Sequence, residues 1–421
     1  MKTKTIAIIC TVAIIASAGL TACNTGSKLV GFTDIVPATT PFDETDPVAG
    51  GFNLTSEELV RGIGIGWNLG NTLDAYYSDN PTQPFHWVDH DNMTEVETAW
   101  IEGPEFATTP ELFARIRAAG FNAVRIPTTW FKMAGEAPDY TIRTDWMRHV
   151  RGIVDMAVAQ DMYIILNTHH DEYVMRISNE TEVEAAEEAV VALWTQIAKE
   201  FESYDEKLIF EGLNEPRRRT NVWTTQGRWD WSGNATTQEA VNRLNQAFVN
   251  AVRATGGNNE KRHLMLTTYA AQTGASQLNA FTLPEDPIAE NGTSKFILSV
   301  HLYSPFEWAH EGKSSYNRSA KLQSELTQIA NRASALGIPV IMGEFGSIDE
   351  NIHRQRVKHA YDYVKIATNL RSRGNNPVVM ACFWWDNASH FQIIDRTKPI
   401  DDYGLEIITA MSRARRGLDQ K

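Results

Sequence analysis

The chain has 421 residues, 43% hydrophobic and 22% charged, an ordinary globular composition with room for one large α/β domain or two smaller ones. Its formal charge of −13 argues against nucleic acid or an anionic membrane surface as a partner and suits a neutral substrate. Tryptophan is abundant, with 12 copies, many of them between periodic segments, where exposed rings usually mark a binding surface.

Lys2 and Lys4 open a segment whose apolar stretch, Ile6 to Ile15, is short for a membrane span, so residues 1–22 are expected to be an export signal. The signal ends in Leu20-Thr21-Ala22-Cys23, which resembles the lipobox of bacterial lipoproteins. That resemblance implies a lipidated Cys23 as the first mature residue and attachment to a bacterial membrane. With Cys10 removed and Cys23 modified, only Cys382 remains, so neither a disulfide framework nor a zinc cluster is expected. Residues 23–52 are rich in Pro, Thr, Gly and acids and lack apolar periodicity, which predicts a flexible tether before a domain over 53–421.

From residue 53 short apolar runs alternate with stretches of helical spacing. The runs are Ile63–Trp67, Ala123–Ile126, Tyr163–Leu166, Leu208–Phe210, His263–Leu266, Phe296–Val300, Pro339–Met342 and Val378–Phe383. Helical spacing lies between them, as at Leu112 to Arg117 and Val190 to Ala198. Strand and helix repeated eight times predict a single (β/α)8 TIM barrel. The alternative, an open doubly wound sheet, would need a glycine fingerprint opening a helix; Gly62-Ile63-Gly64-Ile65-Gly66 lacks that context.

Active sites of such barrels sit at the C-terminal ends of the strands. Those ends carry Asn68 to Asp74, Arg125, His169-His170, Asn214-Glu215, Tyr269, His301 to Tyr303, Glu344 and Trp384-Trp385. Two glutamates, Glu215 and Glu344, each follow an apolar run. A carboxylate there costs several kcal/mol unless something pairs with it, and paired carboxylates at a cleft are the apparatus of glycoside hydrolysis. His169-His170-Asp171-Glu172 could suggest a metal site, but neighbours on an extended segment point apart and the spacing differs from zinc patterns; no metal is expected.

The segments Gly66-Trp67-Asn68-Leu69-Gly70-Asn71-Thr72-Leu73-Asp74, Ala123–Pro127, Leu166–His170, Leu213–Pro216, Val300–Tyr303, Gly343–Gly346 and Phe383–Asn387 together resemble glycoside hydrolase family 5 of clan A. The first and last are most similar to subfamily 4, mainly endo-β-1,4-glucanases with xyloglucanases and broad-specificity enzymes among them. The resemblance implies a retaining hydrolase without cofactor, with Glu215 as acid/base, held protonated, and Glu344 as nucleophile. It further implies that Arg125 keeps Glu344 ionised, Tyr303 donates to it, and Asn214 holds the sugar 2-hydroxyl. His169 and His301 would bind hydroxyls, Trp385 would stack beneath the sugar, and His170 and Asn71 would make outer contacts or orient others. Asp386 would fix a loop. The expected partner is a β-glucan chain, and the expected state is a monomer.

Two stretches depart from that pattern. Arg217-Arg218-Arg219 leads into a loop with Trp223, Trp229 and Trp231, and the stretch from Tyr76 to Trp100 is long and aromatic. The loop tryptophans either stack on sugars on the leaving-group side or pack the loop onto the barrel. A non-catalytic glycan-binding surface lipoprotein is the rival of another class, and it has no use for both Glu215 and Glu344.

Overall fold

The computed structural model describes residues 52–76, 89–101, 103–224, 227–288, 295–313, 315–316 and 319–420. The expected signal, Cys23 and the tether up to residue 51 lie outside these. Among the described residues ten strands follow in chain order: β1 Ile65–Asn68, β2 Ala123–Ile126, β3 Tyr163–Asn167, β4 Leu208–Glu211, β5 Arg218–Thr224, β6 Gly227–Asp230, β7 Leu264–Thr267, β8 Phe296–His301, β9 Val340–Phe345 and β10 Met380–Trp384. Eight of them close a barrel in the order β1-β10-β9-β8-β7-β4-β3-β2, all parallel, while β5 and β6 form a separate antiparallel hairpin after β4. The (β/α)8 barrel expected from the sequence is the observed fold.

Alternation along each strand sorts side chains into two environments. Val124, Ile126, Ile164, Leu166, Phe210, Leu266, Leu298 and Met342 join the outer core with the helices. Ala123, Ile165, Ile209, Met265, Ile297, Ile341, Ala381 and Phe383 form the inner cluster. The inner cluster is floored by a helix, Ser56–Ile63, whose Leu59, Val60 and Ile63 are buried in it.

The first strand differs from expectation. Ile63 ends the floor helix, and β1 starts at Ile65. Thr55 and Glu58 form a reciprocal capping box that starts this helix, and Gly64, at φ 73°, ends it. The chain enters the barrel from below. Leu54 N–H donates to Glu206 (3.1 Å), Ser56 lies 3.1 Å from His263, and Lys295 donates to the Phe52 carbonyl (2.7 Å). Those three partners precede β4, β7 and β8.

Candidate active site

One step above the inner apolar cluster, the same alternation presents polar groups. Arg125, Asn167, Glu211 and Ser299 lie two residues beyond Ala123, Ile165, Ile209 and Ile297, and all are fully buried. Arg125 is the hub. Its Nε donates to Glu211 (2.7 Å), Nη1 to Glu344 (2.9 Å) and to the Asn68 side chain (3.0 Å), and Nη2 to Asn214 (2.7 Å). Burial works against its charge, but Glu211 and Glu344 outweigh that and push its pKa up. Asn68 also donates to the carbonyls of Gly343 (2.9 Å) and Trp384 (3.1 Å), tying β1 to β9 and β10. A register shift between Val300 and His301 pairs His301 with Glu344 across β8 and β9; such irregularities commonly re-aim side chains beside active sites.

Glu344 therefore meets Arg125 on one oxygen and the Tyr303 hydroxyl (2.8 Å) on the other. Burial, then the Glu344 charge, push the Tyr303 pKa up and keep it a donor. Glu215 faces it from the loop after β4, and an oxygen of each carboxylate lies within 4.8 Å of the other. His301 Nδ1 sits between them, 2.9 Å from Glu215 and 3.6 Å from Glu344. Glu215 also accepts from Arg217 Nη1 at 2.7 Å.

The expectation that Glu215 is held protonated is not met in this structure. Burial alone would raise its pKa, but the His301 hydrogen bond and the Arg217 charge outweigh it and bring the pKa to about 2.

The other expected residues gather around this pair. His169 is buried beside Trp385, their rings parallel with centroids 5.9 Å apart, and His170 packs edge-on against His169 at 4.4 Å. Burial holds both imidazoles neutral, His170 down to about 3 and His169 well below its usual range. Trp385 needs Gly70 opposite it, since a Cβ there would lie 2.8 Å from the indole and 2.9 Å from the Asp386 carbonyl. Asn71 has a left-handed backbone (φ 56°), and its N–H donates to Asp74 (3.0 Å). Asp386 accepts from the N–H groups of Ala388, Ile393 and Ile394 and so fixes its loop.

A strip of rings continues from His170. Tyr76 lies 4.9 Å from His170, 5.1 Å from Trp100 and 5.2 Å from Tyr173, and Tyr173 meets Trp229 edge-on at 6.1 Å. Trp231 instead packs against the outer core. The Trp223 side chain lies outside the described residues.

A family model named "Cellulase (glycosyl hydrolase family 5)" matches residues 78–390. The chain belongs to glycosyl hydrolase family 5. Among curated family relatives, it is 39% identical over 340 residues to endoglucanase B of Neocallimastix patriciarum, an alignment covering 80% of this chain and 65% of that protein. The chain thus spans just under two thirds of that relative's length. A solved family 5 subfamily 4 broad-specificity endoglucanase from Ruminococcus champanellensis, with bound cellotriose, has a TM-score of 0.73 and 37% identity, covering 85% of this chain and 98% of that one. A lichenase from a Caldicellulosiruptor species, solved with cellotetraose, has a TM-score of 0.73 and 32% identity over 86% and 96% of the two chains.

Family 5 motif reading passed over Glu211, Glu172 and Arg217. Glu211 carried a usable signal, because it directly follows Leu208-Ile209-Phe210 at the next inward position. Arg217 carried none, since its partners come from separate segments. Glu215, His301 and Glu344, and likewise Asp74, His169 and His170, bring ligand atoms within 4.8 Å of one another. Distance alone would let either group hold a cation. However, Arg217 and Arg125 already place positive charge on the two glutamates, while Asp74 accepts backbone N–H groups from Asn71 and Thr72.

Proposed function

We propose that this family 5 protein hydrolyses internal β-1,4-glucosidic bonds of cellulose-type or related β-glucans by a retaining double displacement. The observation that carries the reading is the approach of Glu215 and Glu344 within 4.8 Å. Retaining enzymes hold their carboxyls about 5–5.5 Å apart, whereas inverting ones leave about 6.5–9.5 Å for a water. Glu344, paired with Arg125 and aimed by Tyr303, attacks the anomeric carbon as Glu215 passes a proton to the leaving oxygen. Glu215 then takes a proton from the water that releases the glycosyl group. His301 Nδ1 lies 2.9 Å from the Glu215 carboxylate, and a sugar that displaces water adds burial, which favours the protonated acid. Asn214, fixed by Arg125, meets the 2-hydroxyl. Neutral His169 and His170 exchange hydrogen bonds with hydroxyls, Trp385 lies beneath the ring, and Asn71 borders the same site.

The endoglucanase names of the relatives support a cellulose-type substrate, and the lichenase likeness favours mixed-linkage β-glucan as a second one. Product profiles on carboxymethylcellulose, barley β-glucan, xyloglucan and mannan rank the substrates. Early proton NMR should show the β anomer first; initial α anomer would refute retention. Glu215→Gln and Glu344→Gln should each lose roughly 10²–10⁴-fold in turnover while keeping the fold. Wild-type rates from either variant would refute the role assigned to that glutamate.

For location, the Leu20–Cys23 lipobox supports a lipid anchor on Cys23 at a bacterial membrane. Labelled fatty acid should attach to the wild-type chain and not to Cys23→Ser; label on the variant would remove the anchor from the proposal.

A further inference from the structure

Arg217 stands where the strand-end motif stops and the β5–β6 hairpin begins, and it is 6% exposed. Its guanidinium lies over the rings of Trp231 (4.3 Å) and Trp229 (4.9 Å). One nitrogen, Nη1, serves two carboxylates: it donates to Glu215 at 2.7 Å and lies 3.4 Å from Glu172. Glu172 is 5% exposed, and among the described residues neither of its oxygens has a hydrogen-bond partner. A buried carboxylate left that way has no structural purpose that a glutamine would not serve better.

We propose that Arg217 is a positioning residue that governs how tightly the Glu215–His301 pair holds its proton, and that Glu172 governs Arg217's hold on Glu215. This rests on the acid/base role proposed above for Glu215. The guanidinium charge disfavours a proton on the pair. Glu172, once ionised, competes for the same nitrogen and cancels part of that charge. Burial raises the Glu172 pKa to about 7, against the pull of Arg217, so the relief arrives near neutrality.

Other charged and titratable groups face these residues, and Glu172 and Glu215 also repel each other directly. His301 and Glu344 touch the pair from β8 and β9, Tyr303 and His310 reach Glu215 electrostatically from beyond β8, and His170 faces both Glu215 and Glu172 from after β3. Asp171 and Tyr76 face Glu172.

The test is the pH profile of kcat/KM on an unactivated cello-oligosaccharide. Its alkaline limb reports loss of the proton that the coupled pair must deliver. Arg217→Met, which keeps a side chain over the tryptophans, should move that limb up by about one pH unit, a tenfold change in proton affinity. Glu172→Gln should move it down, because the competing charge is gone. The double variant should lie close to Arg217→Met, below it only by the direct repulsion between Glu172 and Glu215. The acidic limb should stay in place in all three. With a dinitrophenyl cellobioside, whose leaving group needs no proton, the shifts should vanish.

Coincident alkaline limbs in active, folded variants, or shifts in the same direction, would overturn this inference and leave the proposed function standing. Absence of β-glucan hydrolysis by the wild-type protein would overturn both. If Arg217→Met does not fold, the downward shift in Glu172→Gln decides alone, and its absence refutes the inference.

Discussion

Glu211 touches no substrate in the proposed mechanism, yet its removal should be among the costliest single changes in the barrel. It is fully buried, accepts from Arg125 Nε (2.7 Å) and Asn167 (3.0 Å) on one oxygen, and from the Ser299 hydroxyl (2.5 Å) on the other. Glu211→Ala leaves the fully buried Arg125 guanidinium with Glu344 as its one remaining ion-pair partner among the described residues. Removing one partner of a buried ion pair costs about 3–5 kcal/mol. At roughly 2 °C per kcal/mol for a large domain, the melting temperature should fall by about 6–10 °C. Arg125 also loses one of the fixings that aim it at Glu344 and Asn214, and a displacement on the order of 1 Å there costs about 10²-fold in kcat/KM. Glu211→Gln keeps the shape and one acceptor oxygen, so it should fall between the two proteins on both scales. Calorimetry and kcat/KM on β-glucan measure the pair of effects. A Glu211→Ala protein melting within about 2 °C of wild type would show that Arg125 does not depend on this carboxylate.

Gly70→Ala places a methyl 2.8 Å from Trp385 and 2.9 Å from the Asp386 carbonyl, so it should raise KM for cello-oligosaccharides and cost about 1–3 kcal/mol in unfolding assays; an unchanged KM would mean Trp385 is not a sugar platform. Trp231→Ala, which empties a place against the outer core, should lower the melting temperature, by up to about 3 kcal/mol in stability. Trp229→Ala, at the end of the ring strip, should instead weaken cellohexaose more than cellotriose, as compared by kcat/KM; equal losses on both substrates would count against the strip as a binding wall.

The barrel was legible because each strand is a short apolar run and each run ends in a polar residue at the same level. The two glutamates at such ends stood out for the cost of putting charge there. Ile63 misled, since an apolar residue next to a strand has the same local look whether it opens the strand or ends a helix below it; the capping signal at Thr55 and Glu58 was the distinguishing feature. Glu211 was readable in principle from the two-residue period that turns Ile209 inward. The arginine run was not. Arg217 turns to Glu215, Arg218 pairs with Asp230 (2.8 Å), and Arg219 lies over Tyr173 (5.0 Å). Three adjacent, chemically identical residues take three unrelated tasks because their partners lie on other segments, and local spacing holds no record of those.

The floor helix carries a consequence for orientation. Residues 52–56 meet the ends of β4, β7 and β8 opposite those bearing Glu215, His301 and Glu344. The chain therefore enters the barrel on the face away from Glu215 and Glu344. Residues 52–56 thus leave the opposite mouth uncrossed, and a β-glucan chain far longer than the protein can, in the proposed reaction, lie across it along its middle.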